Sequence, residues 1–302
     1  MKRLLLSLLL AGTVIVLSGC GSIFEKEYVS VTDYVPTVQE QPAASEKITA
    51  RNLSSLRSAL RSIVYAGAEE GTISFDQNYD GDSREDMAAL CAQLRTQDAL
   101  FAYCVQDLSY EYSTIVAHDE AVVHVRYAPT AVTGGEILRL SYTTGLESIL
   151  RQAMENNQNR VVVLINVSSY STLQIKQLVA DIYHAAPICA VREPETDVHM
   201  YSGSGSQRLY EIALEYGLPE DEIIRRKAQL LNLDVRDNIG AADLDDAQAA
   251  LAACRFLLEN CRLSMEPGLN TVYDALISGE ADLEGRRCFP SISRCSCVAR
   301  WR

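Results

Sequence analysis

Arg160-Val-Val-Val-Leu-Ile-Asn-Val167 is an apolar, β-branched run of eight residues. It offers no polar face to water, so it reads as a strand covered on both sides of its sheet. Such a strand needs helices to cover it, and helical spacing flanks it over about 144–156 and over Leu173–Tyr183. Leu53, Leu56, Leu60, Ile63 and Val64 recur at the same spacing and lead into a β-type run, Gly71–Phe75. A further helix follows, with Met87, Leu90, Cys91 and Leu94 on one face and Ser83 as its expected N-cap. Ser109–Val116 and Ala121–Tyr127 alternate around Ala117-His118-Asp119-Glu120, which predicts a hairpin turning at those four residues. Short strands are expected at Ile188–Val191 and Asp197–Tyr201. This alternation of helix and strand predicts an α/β domain with a mixed sheet over 51–202.

Ser202-Gly-Ser-Gly-Ser-Gln207 breaks the pattern and reads as a hinge between domains. Beyond it, Gln207–Tyr216, Pro219–Leu231 and Ala242–Leu263 all read as amphipathic helices. The last carries a stripe of Leu244, Ala247, Leu251, Cys254, Leu258 and Cys261, expected to face a core. The fold class is therefore α+β, an α/β domain followed by a helical segment over 203–285. No internal repeat is visible in the sequence.

Charge narrows the range of partners. The 302 residues hold 27 bases and 40 acids. Two of the bases lie in residues 1–19 and five in residues 286–302, which leaves 20 bases against all 40 acids in between. A body so acidic repels phosphate backbones and anionic lipid headgroups, so neither nucleic-acid binding nor electrostatic attachment to a membrane is expected.

Met1-Lys2-Arg3 is a basic start, Leu4–Val16 an apolar stretch too short for a lasting membrane span, and Leu17-Ser18-Gly19-Cys20 follows. These residues resemble a bacterial lipobox. The resemblance implies a signal peptide over 1–19, lipid attachment to Cys20, and an extracytoplasmic protein held to the cell membrane by acyl chains. Residues 20–50 then form a polar tether with Pro36 and Pro42.

Of nine cysteines, Cys20 belongs to the lipobox, and Cys288, Cys295 and Cys297 to the C-terminal tail. The five that remain cannot all pair with one another. Cys254 and Cys261 stand seven apart on one helix, about 10.5 Å by helical rise, beyond disulfide reach. Both are expected as buried free thiols.

Asp76, Asn78, Asp80 and Asp82, with Gly81 among them, copy the opening of a calcium loop. The closing position is Met87, which belongs to the apolar stripe of the next helix, so a solvated turn is the expected structure and no cofactor is required. His118, His124, His184 and His199 stand apart from one another, and neither GxSxG nor HExxH occurs.

Ala252-Ala-Cys-Arg-Phe-Leu-Leu-Glu-Asn-Cys-Arg-Leu263 precedes Asn270-Thr-Val-Tyr-Asp-Ala-Leu276, and Gly279-Glu-Ala281-Asp-Leu283-Glu-Gly285 follows. This order resembles the approach to the active-site helix of the bacterial transglutaminase-like, papain-related superfamily. In that family a Cys at the helix start is activated by a His and an Asp from later strands. Aligning Gly279, Ala281 and Gly285 puts Leu283 in the nucleophile's slot, and no His or Asp follows it. The resemblance thus implies a partial, catalytically inactive domain. Residues 286–302, with five Arg, three Cys and the single Trp, read as an out-of-frame ending or as a basic tail for the acidic body.

The expected protein is a lipid-anchored envelope component with a binding or scaffolding role toward peptides or cell-wall material. Two alternatives stand beside it. One is a hydrolase whose site lies in the α/β domain, which a cleft uniting His124 or His199 with Cys or Asp would favour. The other is a solute-binding lipoprotein, which two similar α/β lobes around a cleft would favour.

Overall fold

The computed structural model describes residues 47–115, 118–186, 190–232, 245–265 and 269–282. All belong to one compact unit that begins at Gln41. The protein is α+β, and its N-terminal part is an α/β domain with mixed sheets.

Strand β1 (Ile48–Asn52) leads into helix α1 (Leu53–Ala66), strand β2 (Glu70–Asp80), helices α2 (Ser83–Gln97) and α3 (Ala99–Cys104), and the hairpin of β3 (Val105–Ile115) and β4 (His118–Tyr127). The sheet order is β1-β2-β4-β3, with β1 parallel to β2 and the other pairs antiparallel. The same plan then recurs. Strand β5 (Ile137–Tyr142), helix α4 (Leu146–Glu155), strand β6 (Arg160–Val167), helix α5 (Thr172–Ala185), and strands β7 (Glu195–Ser202) and β8 (Arg208–Glu215) form a sheet of order β5-β6-β8-β7. Here too the first pair is parallel and the others antiparallel. The chain therefore contains two topologically identical modules, a repeat that no sequence self-similarity announces.

The second half of the repeat corrects three expectations. Gln207–Tyr216 is not helical: residues 208–215 form β8, the inner strand that pairs with both β6 and β7. Its buried residues Leu209, Tyr210, Ile212 and Leu214 serve two cores, one on each face, which blurs the strand alternation into something helix-like. The α/β architecture consequently runs past residue 202, and Ser202–Gln207 is the turn of a hairpin rather than a hinge. Ala190 and Val191 are buried in a bend and not in a strand, while residues 187–189 lie outside the described residues.

Each helix layer forms for local reasons. Asn52 and Ser55 make a reciprocal capping box at the start of α1, whose Leu56, Ala59, Leu60, Ile63 and Val64 are buried at 3–4 spacing. Helix α2 is capped by Asp82, which accepts from the amides of Arg84 and Glu85. Ser83, the cap expected from sequence, instead bonds the Tyr112 hydroxyl at 2.6 Å. Residues 116–117 lie outside the described residues, and His118, Asp119 and Glu120, expected in the hairpin turn, belong to β4.

Two cores stack the modules. One joins Ile73, Phe75, Ala121 and Val123 of the first sheet to α1, α2 and α3, and reaches on to Ile137, Val162, Leu164 and Leu209 beneath the second sheet. The other lies on the opposite face of the second sheet, where Val161, Val163, Ile165, Tyr210 and Ile212 meet α4 and α5. The β6 run is thus covered on both faces, as its composition requires. Helix α6 (Glu220–Asn232) and the segment 269–282 complete this second core through Ile223, Leu230, Val272, Tyr273 and Ala281. Helix α7 (Asp246–Asn260) docks there by Phe256, and Leu251, Cys254 and Leu258 of its expected core stripe are exposed instead. Among the described residues, no helix is long and apolar enough to cross a membrane.

Candidate functional site

Polar ties close the junction between the modules. Arg61 of α1 donates to Asp98 at 2.6 Å and to Gln207 of the β7–β8 turn at 2.9 Å. Asp98 is buried and also caps α3 through the Leu100 amide. Arg139 of β5 lies 3.3 Å from the ring centroid of Tyr65, a cation–π contact whose phenol donates to the Ile137 carbonyl.

A cleft of about 450 Å³ opens on the second module, in the size range of small-ligand sites. Its lining includes Thr130, Asn159, Arg160, Asp197, His199, Tyr201, Glu211 and Glu215. Strand alternation places them: Asp197, His199 and Tyr201 project from one side of β7, and Glu211 and Glu215 from the same side of β8. His199 pairs directly with Glu211, and Asp197 with Ala213.

Arg160 organises the inner wall. Its terminal nitrogen donates to the Tyr103 hydroxyl at 2.9 Å, to the Thr130 carbonyl at 2.6 Å and, in a tight ion pair, to Glu211. Tyr201 donates to the other Glu211 oxygen at 3.2 Å and meets Tyr103 edge to face at 5.1 Å. Burial raises the pKa of both phenols, and for Tyr201 the Glu211 charge adds to the effect, so both remain neutral. The outer wall is more open. His199 Nδ1 stands 3.4 Å from Asp197, which also accepts from Lys176 at 3.2 Å and from the Val198 amide. These contacts, Lys176 foremost, hold the Asp197 carboxyl below its ordinary range.

The other sequence candidates are dispersed. His124 lies on the solvent face of the first sheet, 3.6 Å from Glu70 and opposite Ser109, where no described element covers it. His118 bonds Glu120 at 3.0 Å, and His184 stands 3.7 Å from Glu193. Asp76, Asn78 and Asp80 run along β2 instead of curling round a calcium loop, and Asp82 uses its oxygen on the α2 cap. Among the described residues no three His, Cys, Asp or Glu side chains converge as metal ligands. Cys20, the proposed lipid site, and Leu283, the nucleophile slot, lie outside the described residues. Gly279 ends the short helical turn Asp274–Ser278 in the left-handed conformation, and Glu280–Ala281 pairs with Arg262–Leu263.

Sequence reasoning reached His199 but not its neighbours. Arg160 and Glu211 are 51 positions apart and meet only through the β6–β8 pairing. The one available signal was a charged residue at the mouth of an apolar strand.

The fold and the cleft define a two-module α+β protein with a polar cleft lined by β6, β7 and β8 of the second module and by Thr130. Comparison with known proteins finds no matching family model, curated protein or solved structure.

Proposed function

We propose that this is a lipid-anchored cell-envelope protein, held extracytoplasmically through Cys20, that binds its ligand without converting it. The cleft on the second module is its recognition site. On this reading the region over 250–285 is a degenerate transglutaminase-like element with Leu283 in place of a nucleophile. The ligand belongs to the peptide or cell-wall class. Within that class an amine-bearing group suits the cleft, because Asp197, Glu211 and Glu215 outnumber Arg160 on its walls.

One observation carries the proposal: the cleft sets an imidazole and three carboxylates around the neutral Tyr201 phenol, with no serine or cysteine among its lining residues. The modules share a continuous apolar core instead of facing each other across a joint, which suits a fixed, preformed cleft better than a closing transporter receptor. The His199–Asp197 pair favours a second reading, hydrolysis by an activated water.

Calorimetric titration of the purified protein with amine-bearing muropeptides separates the two. Binding weakened about tenfold or more by Asp197→Asn and Glu215→Gln, with the peptide recovered intact, is the expected result, since charge-assisted contacts contribute roughly 1.5–3 kcal/mol. Turnover that His199→Ala abolishes would sink the binding reading in favour of the hydrolase. Loss of metabolic palmitate labelling in Cys20→Ala tests the anchor separately.

A further inference from the structure

Ala213 has the smallest side chain in the cleft and forms its floor. It pairs with Arg160 on β6 and with Asp197 on β7, so a cation and a carboxylate flank it across the sheet. Glu211 and Glu215, two residues to either side along β8, project from the same face. The corresponding row of the first sheet is Glu70, His124 and Ser109, where an imidazole stands in place of the methyl group. The fold therefore accepts a large side chain at this position, and the small one at Ala213 leaves the cleft its room.

Most of the charges around this floor are already engaged. Glu211 accepts from Arg160 and Tyr201, and Asp197 accepts from Lys176 and the Val198 amide and stands beside His199. Glu215 is exposed and has no hydrogen bond or ion pair among the described residues. Arg160 is unsatisfied in the opposite sense. Its contacts to Tyr103, Thr130 and Glu211 all crowd onto Nη2, whereas Nε is buried without an acceptor. Nη1, open to solvent on the cleft wall, has no acceptor either. The groups left over in the cleft are thus one carboxylate and one guanidinium edge. The Cα atoms of Arg160 and Glu215 stand about 8 Å apart on the diagonal, from about 4.8 Å between strands and about 3.4 Å per residue.

Resting on the reading of this cleft as the amine-binding site, we infer that the group it recognises is an α-amino acid head, with ammonium and carboxylate on one carbon. The head lies over Ala213, its ammonium donating to Glu215 and its carboxylate accepting from Arg160 Nη1. Both contacts join ionised groups through charge-assisted hydrogen bonds. A bare amine satisfies Glu215 and leaves the Nη1 edge without an acceptor. A bare carboxylate or phosphate meets the three acids of the wall. A metal ion fits less well, since no three ligating side chains converge among the described residues.

The test titrates the full chain calorimetrically with alanine, alaninamide and N-acetylalanine, which share a methyl group and differ in the charges they keep. Alanine is expected to bind at least about tenfold more tightly than either derivative. Ala213→Leu, which fills the floor and leaves every charge in place, should abolish alanine binding. Arg160→Lys should bring alanine down to the level of alaninamide, and Glu215→Gln down to that of N-acetylalanine. Circular dichroism confirms that the variants keep the parental fold. The ligand series is measured on the parent protein, so it decides the question even where Arg160→Lys does not fold. Alaninamide binding as tightly as alanine, or no binding of alanine, would overturn the inference. An amine-bearing muropeptide separates that failure from failure of the site: if it still binds and Glu215→Gln weakens it, only the zwitterionic head is wrong. If it does not bind either, the cleft is not the recognition site.

Discussion

Gly203 offers the sharpest test of how the two modules meet. A Cβ at this position would stand 2.2 Å from the Gln97 carbonyl oxygen and 2.9 Å from the Asp98 Cα. Both are backbone atoms at the α2–α3 boundary, and neither can swing aside as a side-chain tip could. Relieving the overlap must push the β7–β8 turn away from the first module. That breaks the hydrogen bond from the Ser204 amide to Gln97, 2.9 Å long, and strains the Arg61 bridge to Gln207. Overpacking of this kind costs about 1–3 kcal/mol, and the lost hydrogen bond to the half-buried Gln97 carbonyl adds about 0.5–1.5 kcal/mol. Gly203→Ala should therefore lower stability by roughly 2–4 kcal/mol, read from the urea midpoint of the far-ultraviolet circular dichroism. Gly205 is the internal control, because a Cβ there meets nothing within 4 Å, and Gly205→Ala should stay within about 0.5 kcal/mol of the parent. Equal midpoints for the two variants would mean that the turn swings free as a hinge, and the stacked arrangement of the modules would be wrong.

Arg160→Met strips the ion pair from Glu211, whose side chain is 20% exposed, and should cost about 1–3 kcal/mol in the same urea titration. The described thiols should divide by burial. Desolvation raises Cys91 to about 11 and Cys104 to about 12, so both stay protonated until the pH approaches those values. At pH 7 maleimide followed by peptide mapping should mark exposed Cys254 and spare those two until denaturant is added. The lowered pKa of Asp197 fixes the sign of a pH effect on the cleft. Its charge is fully present above the ordinary Asp range, persists through that range, and disappears only as pH falls through the depressed folded value. Calorimetric amine affinity should survive mild acid accordingly, and Lys176→Met should move its loss to higher pH; an unmoved profile would remove Lys176 from the account.

The first module was more legible than the second because its elements each serve one core. Leu56, Leu60, Ile63 and Val64 face a single layer, so their spacing reports a helix directly. Residues 208–215 bury Tyr210, Ile212 and Leu214 in one core and Leu209 in the other, and the adjacent apolar pair Leu209-Tyr210 breaks the alternation that marks a half-exposed strand. The turn at Gly203 and Gly205 reads as a linker in sequence because glycine marks both flexible chain and close backbone approach, and only the position of Gln97 tells them apart. In the site, His199 and Asp197 were visible as residue types. Their partners Arg160 and Glu211 become neighbours through strand order, which no local pattern encodes.

The repeated plan also explains why the repeat is silent in sequence. In each module one face of the sheet packs on its own helices, and the other face has a different fate. Beneath the second sheet that face meets α1 and α3, which demands Ile137, Val162, Leu164 and Leu209. On the first sheet no described element covers it, and Thr49, Thr72, Glu111, Glu120 and His124 occupy it, as expected of the end layer of a stack. Corresponding faces of the two sheets thus carry opposite chemistry. Val122 of β4 and Val162 of β6 both point away from their own module's helices, yet Val162 is 3% exposed and Val122 is only partly buried. Replacing each by threonine keeps the shape and adds one hydroxyl. At Val162 that hydroxyl enters an apolar layer and should cost about 1–3 kcal/mol, whereas at Val122 it reaches water and should cost under about 0.5 kcal/mol. Equal losses in urea titration would show that the first sheet's outer face is as dry as the second's, and the molecule would need another layer there.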